Sequence, residues 1–150
     1  MPKQLTETSL PALLRRGALT VAAGRVALGL TALAWPAVPA RPWVGATADD
    51  LTARVFGRAL GGRDLALGLG ALTALRPGAE PGPGAAWVAA GALSDALDVA
   101  ASLASWDELP RITRWLVAAS AGGAALTGAA AAVATVAARD PSAPDKPAPD

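Results

Sequence analysis

The stretch WVAAGALSDALDVAASLASW, residues 87–106, decides how this chain is read. Trp87 and Trp106 stand nineteen residue steps apart; at about 1.5 Å of helical rise per residue this is about 28 Å, close to the roughly 30 Å hydrocarbon core of a bilayer. Tryptophan is favoured at both membrane interfaces, and here one bounds each end of an apolar run. Ser94, Asp95 and Asp98 sit at its middle. Carboxylates at that depth must face protein or water rather than lipid.

Gly91, Ser94, Asp95, Asp98, Ser102 and Ser105 recur at spacings of three and four, so they form one polar stripe along the helix. Val88, Leu93, Leu97, Val99 and Leu103 lie off that stripe. Two central aspartates cost about 5–7 kcal/mol on the insertion scale, and five Leu or Val residues return only about 1.5–3 kcal/mol. The helix needs cationic partners in order to insert. Asp95 and Asp98 are also close enough on one helix face to repel unless a proton or a guanidinium intervenes.

Composition agrees with a membrane setting. The 150 residues are 53% hydrophobic and 17% charged with a net charge of +1, against about 45–50% apolar and about 25% charged residues in soluble domains. A soluble alanine-rich bundle is the competing reading. Cys, His and Tyr are absent, which excludes disulfides, thiol chemistry and His or Cys metal sites, so no metal or cofactor is expected. The even charge balance, without a basic block interleaved with aromatics, argues against nucleic acid as a partner.

Three further helices follow from punctuation. After a polar segment 1–17, an apolar run over about 18–35 ends at Pro36 and Pro39. Val38-Pro39-Ala40 resembles a signal-peptide cleavage site, but Arg25 interrupts the apolar region that such a peptide requires. A Pro/Gly-rich connection then leads to a helix over about 51–75, with Asp49 or Asp50 as its cap and with Arg54 and Arg58 reaching for headgroups. Residues 77–84 read as a loop, 85–105 as the acidic helix, and 112–138 as a fourth helix with a small-residue face of Thr113, Ser120, Thr127 and Thr135. The proline-rich tail 139–150 reads as disordered. The expected architecture is all-α, a four-helix transmembrane bundle over 18–138. Lys3, Arg15 and Arg16 favour cytoplasmic termini in a multi-pass protein of the cell membrane.

The available counter-charges are Arg25 and Arg63, with Asp64 a third acid. We expect Arg25, Arg63, Asp64, Asp95 and Asp98 to meet between the first three long helices, with Ser94 beside them, because unpaired charge in hydrocarbon is costly. GRVALGL at 24–30 also echoes GRDLALGL at 62–69; duplicated helices occur in transporters, although such echoes arise easily in a chain of this composition. Asp95-Ala96-Leu97-Asp98 matches a bare DxxD spacing, which by itself is a weak signal for magnesium. No motif names a reaction, so catalytic residues stay unassigned.

The cluster is either glue that fixes helix register or a polar pocket for binding. The leading functional expectation is a binding or accessory protein, with the bilayer, a homodimer and a small lipophilic ligand as candidate partners. The alternatives are a membrane enzyme using Asp95 and Asp98 as acid and base, or a small proton-coupled transporter. Gly24-Arg25, Trp35-Pro36, Gly62-Arg63-Asp64-Leu65-Ala66-Leu67-Gly68 and Ser94-Asp95-Ala96-Leu97-Asp98 occur in an order that resembles a family of small four-helix integral membrane proteins. The resemblance covers about residues 18–105 and implies the fold, but no activity.

Overall fold

A computed structural model of the chain describes residues 10–79, 81–111 and 113–137. Among these the regular structure is entirely helical: α1 (Leu10–Ala34), α2 (Ala37–Val44), α3 (Leu51–Ala74), α4 (Pro81–Ala104) and α5 (Thr113–Ala137), with a 3-10 turn at Gly45–Asp49 between α2 and α3. The tail expected to be disordered, 139–150, lies outside the described residues. α1, α4 and α5 contain stretches long and apolar enough to cross a membrane: Ala12–Ala34, Gly84–Ala104 and Arg114–Ala134. α3 is as long but carries Arg54, Arg58, Arg63 and Asp64.

Three features differ from the sequence expectation, the first because the segment 1–17 was read as polar and the other two because proline was read too strictly as a stop. α1 starts at Leu10 rather than near 18, with Pro11 in its first turn, where a missing N–H costs nothing. α4 starts at Pro81 rather than 85 and places Pro81 and Pro83 in its own first turn for the same reason. The connection after α1 contains a helix, α2, with Pro36 at its N-cap and Pro42 near its end. Gly45, at φ 69°, then turns the chain out of it. Asp50 occupies the N-cap position of α3, but its side chain makes no capping hydrogen bond.

α1 packs along α3 and α4 along α5, and lighter contacts between α3 and α4 and between α1 and α5 close the arrangement. Backbone approach sets the first pair. A methyl group placed on Gly29 would meet Gly61 O at 2.6 Å and Leu65 N at 2.7 Å, and one on Gly68 would meet Ala22 O at 2.7 Å. Only glycine permits that closeness, as at small-residue crossings in membrane proteins. The pairings of Gly29 with Gly61 and of Gly68 with Ala22 run in opposite chain directions, so the helices are antiparallel. The two halves of the sequence echo therefore face each other, each presenting the second glycine of its Gly-Arg segment.

Arginines repeat this reciprocity at the helix ends. Arg15 of α1 donates to Leu75 O at the end of α3 (2.6 Å), and Arg58 of α3 donates to Leu33 O near the end of α1 (3.3 Å). Terminal carbonyls lack intrahelical donors, and a cation there also meets the negative end of the helix dipole. Arg58, though exposed, thus also serves the end of α1. At the other hairpin the Trp106 and Trp115 rings stack edge to face at 4.6 Å, with the Arg114 guanidinium 4.7 Å from the Trp106 ring.

The interior is made of small residues. Ala18, Ala22, Ala71, Val88, Ala131 and Ala132 form a buried cluster, whereas Leu93, Leu97, Leu103, Leu116, Leu126 and Val133 are exposed. Leucines outside and alanines inside is the pattern of helices that meet lipid on their outer faces and one another through small side chains. Val88, which falls off the polar stripe, is nevertheless buried beside Gly128 of α5. On α5, Thr127 lies against Gly17 of α1, so this part of the small-residue face is used within the chain.

Candidate functional site

Half-way along α1, α3 and α4 the five ionisable side chains come together. Arg25 is 8% exposed and donates from Nη1 to Asp64 Oδ1 at 2.7 Å and from Nη2 to Gly91 O at 2.6 Å. The same Nη2 lies 2.6 Å from Asp95 Oδ1. Arg63 grips Asp98 with both nitrogens, Nη1 to Oδ1 at 3.1 Å and Nη2 to Oδ2 at 2.8 Å, and its Nη2 lies 3.3 Å from Asp64 Oδ1. Asp64 therefore bridges the two arginines. The fork of a guanidinium suits this double engagement in a way that an ammonium does not.

Helical spacing produces the arrangement. Asp95 and Asp98, three residues apart, lie on one face of α4, while Arg63 and Asp64 are adjacent in α3 and diverge around its axis, Asp64 toward Arg25 and Arg63 toward Asp98. Each aspartate of α4 thus has its own cation. Ser94, next to Asp95 in the chain, is buried but does not line the pocket above the cluster, and Ser94 Oγ, Asp95 Oδ2 and Arg63 Nε have no hydrogen-bond partner among the described residues.

The cluster forms the floor of a cavity of about 400 Å³. Above the five charged groups the walls are apolar: Leu28 and Ala32 from α1, Leu60 from α3, Val117 and Ala121 from α5. Pro39, Ala40 and Trp43 of α2, with Pro36 at its N-cap, line a further side, and the pocket stays half open, with Leu28 and Leu60 on its wall themselves exposed. Trp43 Nε1 donates to Ser102 Oγ (3.1 Å), and Ser102 Oγ in turn donates to Asp98 O (2.7 Å). That chain of bonds ties the cover of the cavity to the helix bearing the acids.

The sequence reading missed this cover. Its signal was present: 36, 39, 40 and 43 follow the spacing of one helix face, as do the α5 residues 117, 120, 121 and 124 that also line the cavity. Trp43→Phe keeps an aromatic ring, though a smaller one, and removes the donor, whose hydrogen bond contributes about 1 kcal/mol. Faster amide hydrogen exchange over Ala37–Val44, with unchanged exchange in α4, is the expected result; identical exchange in both variants would show that this bond does not hold α2 in place.

Among the described residues no group of His, Cys, Asp and Glu is arranged to hold a metal ion. The arrangement sets charged groups with directional donors and acceptors against apolar walls, a composition that small-molecule sites share. No family model matches the chain, and neither the curated proteins nor the solved structures give a significant match.

Proposed function

We propose that the chain is a small multi-pass membrane protein in which α1, α3, α4 and α5 form a four-helix transmembrane bundle with cytoplasmic termini, and that it binds a small lipophilic molecule between the charge cluster and α2. The observation that carries this reading is the cavity of about 400 Å³ with a charged floor and apolar walls. A cluster serving only as glue needs no chamber above it, and close packing would have been the more stable arrangement. The outward leucines and the three apolar helices support a lipid environment. α3 crosses as well on this reading, because Arg63 and Asp64 find opposite charges inside the protein while Arg54 and Arg58 lie within its first two turns. Lys3, Arg15 and Arg16 support the orientation.

The test uses the full chain in lipid nanodiscs with radiolabelled 1-decanol as probe and empty nanodiscs as baseline. Saturable binding near one molecule per chain is expected, and Ala121→Phe, which places a ring into the chamber, should weaken it at least about tenfold, roughly 1.4 kcal/mol. Binding that never saturates above the lipid baseline, or that ignores Ala121→Phe, would remove this reading.

A further inference from the structure

The charges on the cavity floor do not balance. Two guanidinium groups, Arg25 and Arg63, meet three carboxylates, Asp64, Asp95 and Asp98, which leaves one negative charge in excess when all three carboxylates are ionised. Its location can be read from the contacts. Asp98 is gripped through both oxygens and Asp64 receives both arginines, whereas Asp95 offers only Oδ1 to Arg25 and its buried Oδ2 has no partner among the described residues. A surplus charge withdrawn from water is costly until something of opposite sign joins it.

The rest of the chamber restricts what that something is. A space of about 400 Å³ corresponds to about a dozen waters at roughly 30 Å³ each, and each of these needs two to four polar partners that apolar walls do not supply. A proton on Asp95 or an inorganic cation would meet the charge but leave the pocket unfilled. An anionic amphiphile would fill it but double the surplus. A hydrocarbon body bearing one positive group answers both demands.

Resting on the binding reading above, we propose that the ligand is a lipophilic monocation of the amine class, its ammonium on the floor beside Asp95 and its hydrocarbon portion between Leu28, Leu60 and Val117 beneath Trp43. Binding of 1-decylamine, 1-decanol and decanoate to the full chain in phosphatidylcholine nanodiscs, each corrected for partitioning into empty discs, tests it. Decylamine should bind at least about tenfold more tightly than decanol, with decanoate the weakest of the three. Asp95→Asn brings the cluster to neutrality and should reduce the amine-to-alcohol ratio to near one, its fold being checked by circular dichroism and melting temperature. Should that variant fail to fold, Arg63→Gln supplies the opposite arm: it raises the surplus to two and should widen the ratio.

Equal binding of amine and alcohol to the unaltered chain, or an unchanged ratio in the variant studied, would overturn the proposal. If decanol still saturates and Ala121→Phe still blocks it, the cavity remains a binding site for neutral lipophiles. If none of the three probes saturates, both readings fall together.

Discussion

Arg25→Met should be the most damaging single substitution in the protein, lowering stability by about 3–5 kcal/mol, the usual result of removing one member of a buried ion-pair network. Arg25 serves Asp64, Asp95 and the carbonyl of Gly91 together, so its loss leaves three carboxylates facing Arg63 alone. Unfolding in a detergent titration is the measurement. Arg41→Met, which breaks the exposed pair of Arg41 with Asp49, should cost little by comparison, because water screens that pair. The sharper comparison is the combined Arg63→Leu and Asp98→Leu variant. It removes a whole pair and should be more stable than Arg63→Leu by itself, which strands Asp98. A double variant that merely adds the losses of its two singles would show that Arg63 and Asp98 are not energetically coupled.

Glycine substitutions on α1 should have opposite signs only five residues apart. Gly24 has nothing within 4 Å of an added methyl group, so Gly24→Ala should be neutral or stabilise α1 by up to about 1 kcal/mol through helix propensity. Gly29→Ala drives a methyl group to 2.6 Å from the Gly61 carbonyl oxygen. The backbone there cannot rotate aside as a side chain can, so the helices must separate, at a cost of about 1–3 kcal/mol or more. Melting temperatures of the two variants in one detergent are expected to move apart, and a Gly29→Ala protein as stable as Gly24→Ala would mean that the α1–α3 crossing is looser than its geometry.

The juxtaposition of Arg25, Arg63, Asp64, Asp95 and Asp98 was legible before any coordinates, because apolar surroundings leave buried charges few alternatives to one another. Which arginine serves which aspartate was not legible. That assignment depends on the rotation of α3 about its axis, which the Gly29 and Gly68 contacts fix. The start of α1 was misread because polar residues ahead of Ala18 belong to the same helix, whereas the start of α4 and the existence of α2 were misread because proline forbids a helix interior but not a first turn, and spacing by itself does not distinguish Pro36, Pro39 and Pro42 as punctuation from the same residues in a short helix. The cavity was invisible because a void is a property of several faces at once, and no single helix encodes it.

The division of the charges among α1, α3 and α4 bears on how such a chain is made. On the four-crossing reading, a ribosome that has released α1 and α3 but not α4 leaves Arg25 matched by Asp64 while Arg63 has no acid of its own, and the acid it lacks is Asp98. α4 in turn carries two aspartates whose cations were synthesised earlier. Neither segment can settle into lipid as an independent unit. The translocation machinery must retain the early helices until the later one emerges, so biogenesis proceeds as a joint release of three segments rather than as a succession of separate insertions.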